Sequence, residues 1–424
     1  MFSITKKYAR NLYWQVSGSA LAQIINIVTM PIITRLYSPT DLGALGLFMQ
    51  YLGLFAILIS FRFEQLIVLP AKDDDAQKLI KLVLKMGLLT CILWTIICAL
   101  LLNVPAIPEY YYPWVMSLPL AAFLIVAAQG LQQLDQRGGN FKFSGLSEFV
   151  NRSVNSSVAL LGGVLSLGGL WLWIAVLAGQ LGKALMFHRH FHITSGPFMG
   201  DLRDGVTRAK SLGLLRLNGS LISSHAMLAV TAIVPLSFVA IHWSGADAGY
   251  LSLVMSTLAL PTALMGNAVG QVFYQQASQQ FSKGQSFFGL LISSAKLLLL
   301  LGSGGFLLVF LFGPQLYTIV FGDSWTQAGV IASYFCVAAA LSFLTTPFDR
   351  AGIIVNAWWY GPSWHFARLA TTIVIVGVAW LLDMEFEAFI LLYVLQLSVM
   401  YVIDAIASLC FSRRTRPFGA SKKN

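Results

Sequence analysis

Apolar runs close to twenty residues long recur along this chain, and they constrain it more than any other feature. At 1.5 Å rise per residue, about 20 apolar residues match the hydrocarbon core of a bilayer. Lipid offers backbone polar groups no partners, so a spanning segment is a helix or part of a closed barrel. A barrel would show alternating segments of about ten residues, and this sequence does not. Composition agrees: 57% of the 424 residues are hydrophobic and only 10% are charged, against about 25% charged in a soluble chain. The sequence therefore predicts an all-α polytopic membrane protein.

Twelve candidate transmembrane helices follow, at 14–33, 42–61, 80–102, 114–134, 143–167, 170–187, 217–240, 249–269, 287–312, 326–346, 362–382 and 388–411. With the N-terminus placed in the cytoplasm, 26 of the 27 lysines and arginines fall on the cytoplasmic side, and only Arg35 falls outside. The positive-inside bias thus predicts twelve spans with both termini cytoplasmic. It also accounts for the net charge of +10 without nucleic acid. The basic segment 1–10 runs into a full-length span with no small-residue cleavage site, which reads as a first transmembrane helix rather than a removed signal. The four cysteines, Cys91, Cys98, Cys336 and Cys410, lie inside apolar runs and read as small core residues. The polar stretch 188–216 divides the chain. The expected domains are 1–187 with spans one to six, a cytoplasmic linker 188–216, 217–411 with spans seven to twelve, and a basic cytoplasmic tail 412–424. The tail reads as resting on anionic lipid or as a plain stop-transfer signal.

The halves echo each other. Gly18-Ser19 and Gly219-Ser220 open spans one and seven, and Pro31 and Pro235 lie near their ends. Pro39-Thr40-Asp41-Leu42-Gly43 opens span two, and Gly245-Ala246-Asp247-Ala248-Gly249 opens span eight. Six spans per half is an even number, so the repeat is parallel, about an axis along the membrane normal. A substrate path is expected between the two six-helix lobes.

Charges within spans are costly in lipid and mark function by default. Arg62 and Glu64 close span two; they either face a cavity or snorkel to the interface. Arg152 lies about 13 Å along span five, one turn from Glu148, with which it could pair, unless the span starts later and Arg152 is interfacial. Asn151 and Asn155 extend that face. Gln15, Ser19, Gln23 and Asn26 make one stripe on span one, and His365, Arg368 and Thr372 another on span eleven. Span four ends with Gln129, Gln132, Gln133 and Asp135. Such stripes line a wet cavity or bond helix to helix. Arg62, Arg152 and Arg368 toward the cytoplasm, with Arg35 at the outer mouth, outnumber Glu64, Glu148 and Asp404. A cationic cavity of this kind suits an anionic substrate, and the planar guanidinium suits phosphate.

Several weaker patterns carry nothing. His188, His190 and His192 lack a neighbouring carboxylate or Cys, so no metal site follows. Asp349-Arg350-x-Gly352 only partly echoes a facilitator-type loop. No phosphate-binding Gly-x-x-x-x-Gly-Lys-Ser/Thr loop occurs, and no soluble domain could house an active site. Neither an enzyme nor a bound cofactor is expected.

The stretch 34–70 carries the most specific pattern: Arg35-Leu36-Tyr37-Ser38-Pro39-x-Asp41-x-Gly43, a span, then Arg62-x-Glu64-x-x-Ile67-x-Leu69-Pro70, followed by Asp73-Asp74-Asp75-Ala76. It resembles the oligosaccharide flippase family of polysaccharide biosynthesis, which includes the O-antigen flippases, within the superfamily of multidrug, oligosaccharidyl-lipid and polysaccharide exporters. The resemblance implies two six-helix lobes in a V around a central cationic cavity that opens alternately to either side. It implies flipping of an undecaprenyl-pyrophosphate-linked oligosaccharide from the cytoplasmic to the periplasmic leaflet of a bacterial inner membrane, for an O-antigen-like or lipopolysaccharide polymer. On that reading Arg62, Arg152 and Arg368 hold the pyrophosphate, and Arg35, Gln23, Asn26, Asn155 and His365 line the path. Trp358, Trp359 and Trp364 stack on sugars. Glu64 or Glu148 couples transport to H⁺ or Na⁺. Partners would be the lipid-linked oligosaccharide, membrane lipid and other polysaccharide assembly proteins, with the chain a monomer because the fold encloses its own cavity. The second half departs from the first, since Gly266 to Gly270 stands uncharged where Arg62 corresponds. The rival is a small-molecule or multidrug antiporter, which needs acids deep in its cavity; the excess of arginine argues against it.

Overall fold

The computed structural model describes residues 6–102, 112–139, 141–187 and 197–416, and among them there is no strand. Among the described residues nine helical runs are long and apolar enough to cross a membrane, and two more, Ala20–Leu36 and Leu170–Leu185, are shorter and apolar. The chain forms two compact units, Met1–Ala229 and Val230–Asn424.

In the first unit the helices are α1 (Lys6–Leu36), α2 (Pro39–Ser60), α3 (Asp73–Leu101), α4 (Tyr112–Arg137), α5 (Phe141–Val164), α6 (Leu170–Leu185) and α7 (Phe198–Ser211). α5 packs between α1 and α6, and α4 packs on α2 and α3. The α1–α5 crossing is set by glycine: a Cβ on Gly18 would lie 2.2 Å from the Gly145 carbonyl oxygen. α2 begins with a capping box. The Ser38 hydroxyl accepts from the Asp41 N–H, and the Asp41 carboxylate accepts from the Ser38 N–H, which satisfies two orphan donors at once. α2 ends where Phe61 (φ 46°) and Arg62 (φ 61°) turn left-handed, feeding the 3₁₀ turn Phe63–Leu66.

The stretch expected as a linker holds α7 in its described part. α7 docks on α3: Arg208 grips Asp75 through two hydrogen bonds of 2.6 and 2.7 Å, and Asp201 binds Lys85 and Lys81. Gly205 allows the close approach, since a Cβ there would meet Leu82 Cβ at 2.7 Å. α8 (Leu214–His242) carries the chain across the boundary of the two units.

The second unit continues with α9 (Gly245–Leu258), a π-turn over Thr262–Gly266, and α10 (Asn267–Ser282). Then come α11 (Phe288–Phe321), α12 (Thr326–Thr345), the short α13 (Ala351–Ile354), α14 (Tyr360–Leu381) and α15 (Phe386–Ser412). Span eight was expected to stop near Val269, but the helix runs on to Ser282. Phe273 and Ala277 on its inner face join Phe287, Leu291, Phe348 and Phe411 in a buried core, and that packing keeps the polar segment helical. α11 and α12 cross at Gly313 and Gly329, and α11 breaks helical geometry at Phe312, just before Pro314. Ser244 caps α9 as Ser38 caps α2, accepting from the Asp247 N–H. Gly219, by contrast, has open space where Gly18 has a helix. Cys91, Cys98 and Cys336 are buried as expected, whereas Cys410 is exposed because its side of α15 faces outward.

Candidate functional site

The polar end of α2 and the glutamine face of α4 meet in the first unit. Gln129, Gln132, Gln133 and Gln136 lie at helical spacings of three and four, on one face. With Arg62, Glu64 and Gln65 from the turn after α2, Glu148 of α5 and Lys183 of α6 they enclose a cavity of about 250 Å³. Arg62 reaches it through its left-handed backbone, a conformation costing about 1–2 kcal/mol for a non-glycine residue. The Ser60 hydroxyl steadies that backbone by accepting the Arg62 N–H at 3.2 Å. Arg137, at the end of α4, pins the following segment by binding Asp73 and the carbonyls of Val68, Pro70 and Ala71.

The cavity's charges are balanced. Arg62 pairs with Glu64 at 3.4 Å, and Lys183 with Glu148 at 2.5 Å. Glu64 is 2% exposed and Lys183 7% exposed, so both ions depend on their partners. Glu148 therefore spends its carboxylate on Lys183 of α6, and the pairing with Arg152 expected from one-turn spacing is not the one formed. Two groups remain open: Arg62 Nε and Glu64 Oε2 are buried with no hydrogen-bond partner. Gln132 and Gln136 both donate to the Ser144 hydroxyl, at 2.6 and 2.8 Å, which fixes α4 against α5.

The second unit holds a separate cavity of about 350 Å³, lined by Arg368 of α14, Thr262, Asn267 at the π-turn, Ser342, Tyr393 and Tyr401 among others. π-Turns are rare and recur at functional sites. The Arg368 guanidinium stacks 5.5 Å over the Tyr401 ring, and its Nε has no partner. Thr371 and Thr372 bond back to their own helix, and Gln396 of α15 donates to Thr371 at 2.8 Å, so Arg368 stands on a fixed backbone. Asp349 is exposed on the 3₁₀ turn Phe348–Arg350, and Asp404 of α15 is buried and accepts a 2.5 Å hydrogen bond from the Tyr360 hydroxyl.

The remaining candidates are placed as follows. Arg35 is in the last turn of α1 and exposed; Gln23 and Asn26 are half-buried on the same helix. Arg152 is half-buried on α5 and does not line the glutamine cavity. Asn151 and Asn155 face α6, where a Cβ on Gly179 would meet Asn151 Oδ1 at 2.6 Å and Asn155 Cβ at 3.0 Å, so helix packing explains them. His365 lies one turn before Arg368 and does not line its cavity. Trp358 and Trp359 are exposed, and Trp364 stacks on Tyr360 at 6.4 Å. The three histidines of 188–192, the side chains of Gln15 and Ser19, and the tail beyond Arg416 lie outside the described residues. Lys183, Gln65, Gln136 and Asn267 escaped the sequence reading. Lys183 had a signal, as a cation inside the apolar run 170–185, and Gln136 continues the spacing begun at Gln129.

Residues 8–200 match the sequence model of the family described as "Polysaccharide biosynthesis protein". No curated relative matches the chain. Among solved structures, an inward-facing multidrug resistance MATE family transporter of the MOP superfamily is similar at 14% identity, covering 93% of this chain and 94% of that one, with a TM-score of 0.66. The outward-facing form of such a transporter is similar at 15% identity over 96% and 95% of the two chains, TM-score 0.55. A MATE in complex with MaL6 is similar at 15% identity over 95% of each, TM-score 0.58. The chain is thus similar to that polysaccharide biosynthesis family over residues 8–200, and it shares the fold of these transporters along its length.

Proposed function

We propose that this chain is a transporter that carries an oligosaccharide on a polyprenyl pyrophosphate from the cytoplasmic to the periplasmic leaflet of a bacterial inner membrane, as a step in building a surface polysaccharide. The observation that carries the reading is the glutamine-lined cavity of the first unit. Amides both donate and accept hydrogen bonds, as sugar hydroxyls do. Arg62 Nε and Glu64 Oε2 leave one donor and one acceptor for a ligand, and the balanced ion pairs suit neutral sugars. Arg368 in the second unit takes the pyrophosphate, with Arg62, Arg152 and Arg35 supplying positive potential along the path. Lobes 1–187 and 217–411 rock about the linker for alternating access, driven by H⁺, Na⁺ or membrane potential. The chain works as a monomer with both termini cytoplasmic, beside the enzymes that assemble the polymer.

Lipid extracts from cells lacking the chain test this. Lipid-linked repeat units should accumulate while surface polymer is lost. Wild type should restore both, and Gln129→Leu/Gln133→Leu should restore neither. A second reading, export of small cationic molecules, is favoured by the fold shared with multidrug resistance transporters. Unchanged lipid intermediates together with altered sensitivity to cationic compounds would replace the first reading with the second.

A further inference from the structure

The groove between α10 and α11 has no part in the proposed transport path. It measures about 400 Å³ and shares no residue with the two polar cavities. The two helices pack on each other across a short turn between Ser282 and Phe288. Val269, Val272 and Leu297 form the apolar wall, and the last two are about half exposed. Ser293 and Ser294 also line the groove, but their hydroxyls donate to their own helix at 2.8 and 3.0 Å. The groove straddles a change of polarity on both helices. Beyond Phe273 the exposed side of α10 carries Gln275, Gln276 and Gln279, whereas residues 297–301 of α11, just past Lys296, are all leucine. Lys296 lies about 12 Å along α11 from Phe288, and Gln276 about 9 Å back from Ser282, so the two changes fall at one level. A change of this kind marks the edge of the hydrocarbon. Lys296 is exposed one turn from Ser293, and Lys283 follows Gln276 by seven residues on the same face of α10. Neither lysine forms an ion pair, and the Gln276 amide makes no hydrogen bond, among the described residues.

We propose that this groove seats an anionic phospholipid, with one acyl chain along Val269, Val272 and Leu297 and the phosphate drawn to Lys296 and Lys283. A lysine at the edge of hydrocarbon needs an anion or water within reach of its stem, and a lipid phosphate stands at that level. Gln276 offers it a further donor. The acyl chain asks for no hydrogen bond, which suits a wall whose serines are already satisfied. Charge placement assigns both lysines to the cytoplasmic side, and basic clefts between spanning helices on that side suit anionic headgroups. A prenyl pyrophosphate cargo has similar chemistry. The separation of the groove from both polar cavities favours the resident phospholipid, and the inference holds whichever cargo the chain carries.

The test titrates the full chain, purified in detergent, with an equal mixture of phosphatidylglycerol and phosphatidylcholine, and reads retained lipid by native mass spectrometry. Wild type should retain phosphatidylglycerol in preference to phosphatidylcholine. Lys296→Gln and Lys283→Gln should each cut that preference by about fivefold. Lys210→Gln, which removes the same charge from an exposed position on α7, should leave it unchanged. Val272→Trp, which fills the groove, should lose the retained lipid. Equal retention of the two lipids, a preference that survives Lys296→Gln, or an equal loss in Lys210→Gln would reduce the lysines to diffuse surface charge and overturn the site. A short-chain prenyl pyrophosphate that displaces phosphatidylglycerol, and is itself lost in Val272→Trp, would give the groove to the cargo instead. Should Val272→Trp not insert, the lysine variants set against Lys210→Gln still decide.

Discussion

Gly329→Ala is the sharpest test of the packing in the second unit. A Cβ at Gly329 would lie 2.5 Å from both the Gly313 carbonyl oxygen and Pro314 Cα. These are backbone atoms in the facing helix, so no side chain can swing away. To restore an ordinary contact of about 3.4 Å, α11 and α12 must separate by close to 1 Å at their crossing, and overpacking of this kind costs about 1–3 kcal/mol. The change from glycine to alanine within a helix returns about 1 kcal/mol of propensity. With both neighbours rigid the cost falls at the upper end, and a net loss of about 2 kcal/mol is expected. Gly305→Ala in α11 is the control, because a Cβ there meets nothing within 4 Å and only the propensity gain remains. Thermal unfolding of the purified chain, both variants in the same detergent, should place Gly329→Ala clearly below wild type and Gly305→Ala at or above it. Equal midpoints for the two variants would refute the reasoning.

Three further outcomes are expected. Lys183→Met strands Glu148 and should destabilise by about 2–3 kcal/mol, less than a fully buried pair because Glu148 is partly exposed. Glu148→Gln/Lys183→Met should recover most of that loss in the same unfolding assay. Exchanging the α7 clamp, with Asp75→Arg/Arg208→Asp, should keep α7 protected in hydrogen exchange, whereas either single change should release it. Lys85, with Lys81, holds the Asp201 carboxyl below the usual carboxylate range. A lowered native value contributes stability above the unfolded pKa that is lost as pH falls through the native one. Amide protection of α7 should accordingly hold from neutrality down to the ordinary carboxylate range and be lost below it.

The all-helical, apolar character of the chain was legible because apolar length is a local property. So was the segment 34–70, whose caps and turns need only neighbouring residues. Partners far apart in sequence were not legible. The Lys183–Glu148 pair joins residues on different helices, and nothing in either run names the other; spacing on a single helix suggested Arg152 instead. The grip of Arg208 on Asp75, across more than a hundred residues, hid a docked helix inside what read as a linker. The end of span eight failed for a related reason. Its glutamines look like a loop, and it is the buried aromatic core behind them that keeps the chain helical to Ser282.

The serine caps of α2 and α9 bear on how the chain is made. Ser38 with Asp41, and Ser244 with Asp247, each close a helix start using four consecutive residues and no distant contact. Such a start draws on no residue outside its own turn and so lowers the cost of nucleating the helix that follows. Each of the two helices thus carries its own signal for beginning, four residues long. Losing either cap would leave the first N–H groups of that helix to find partners elsewhere.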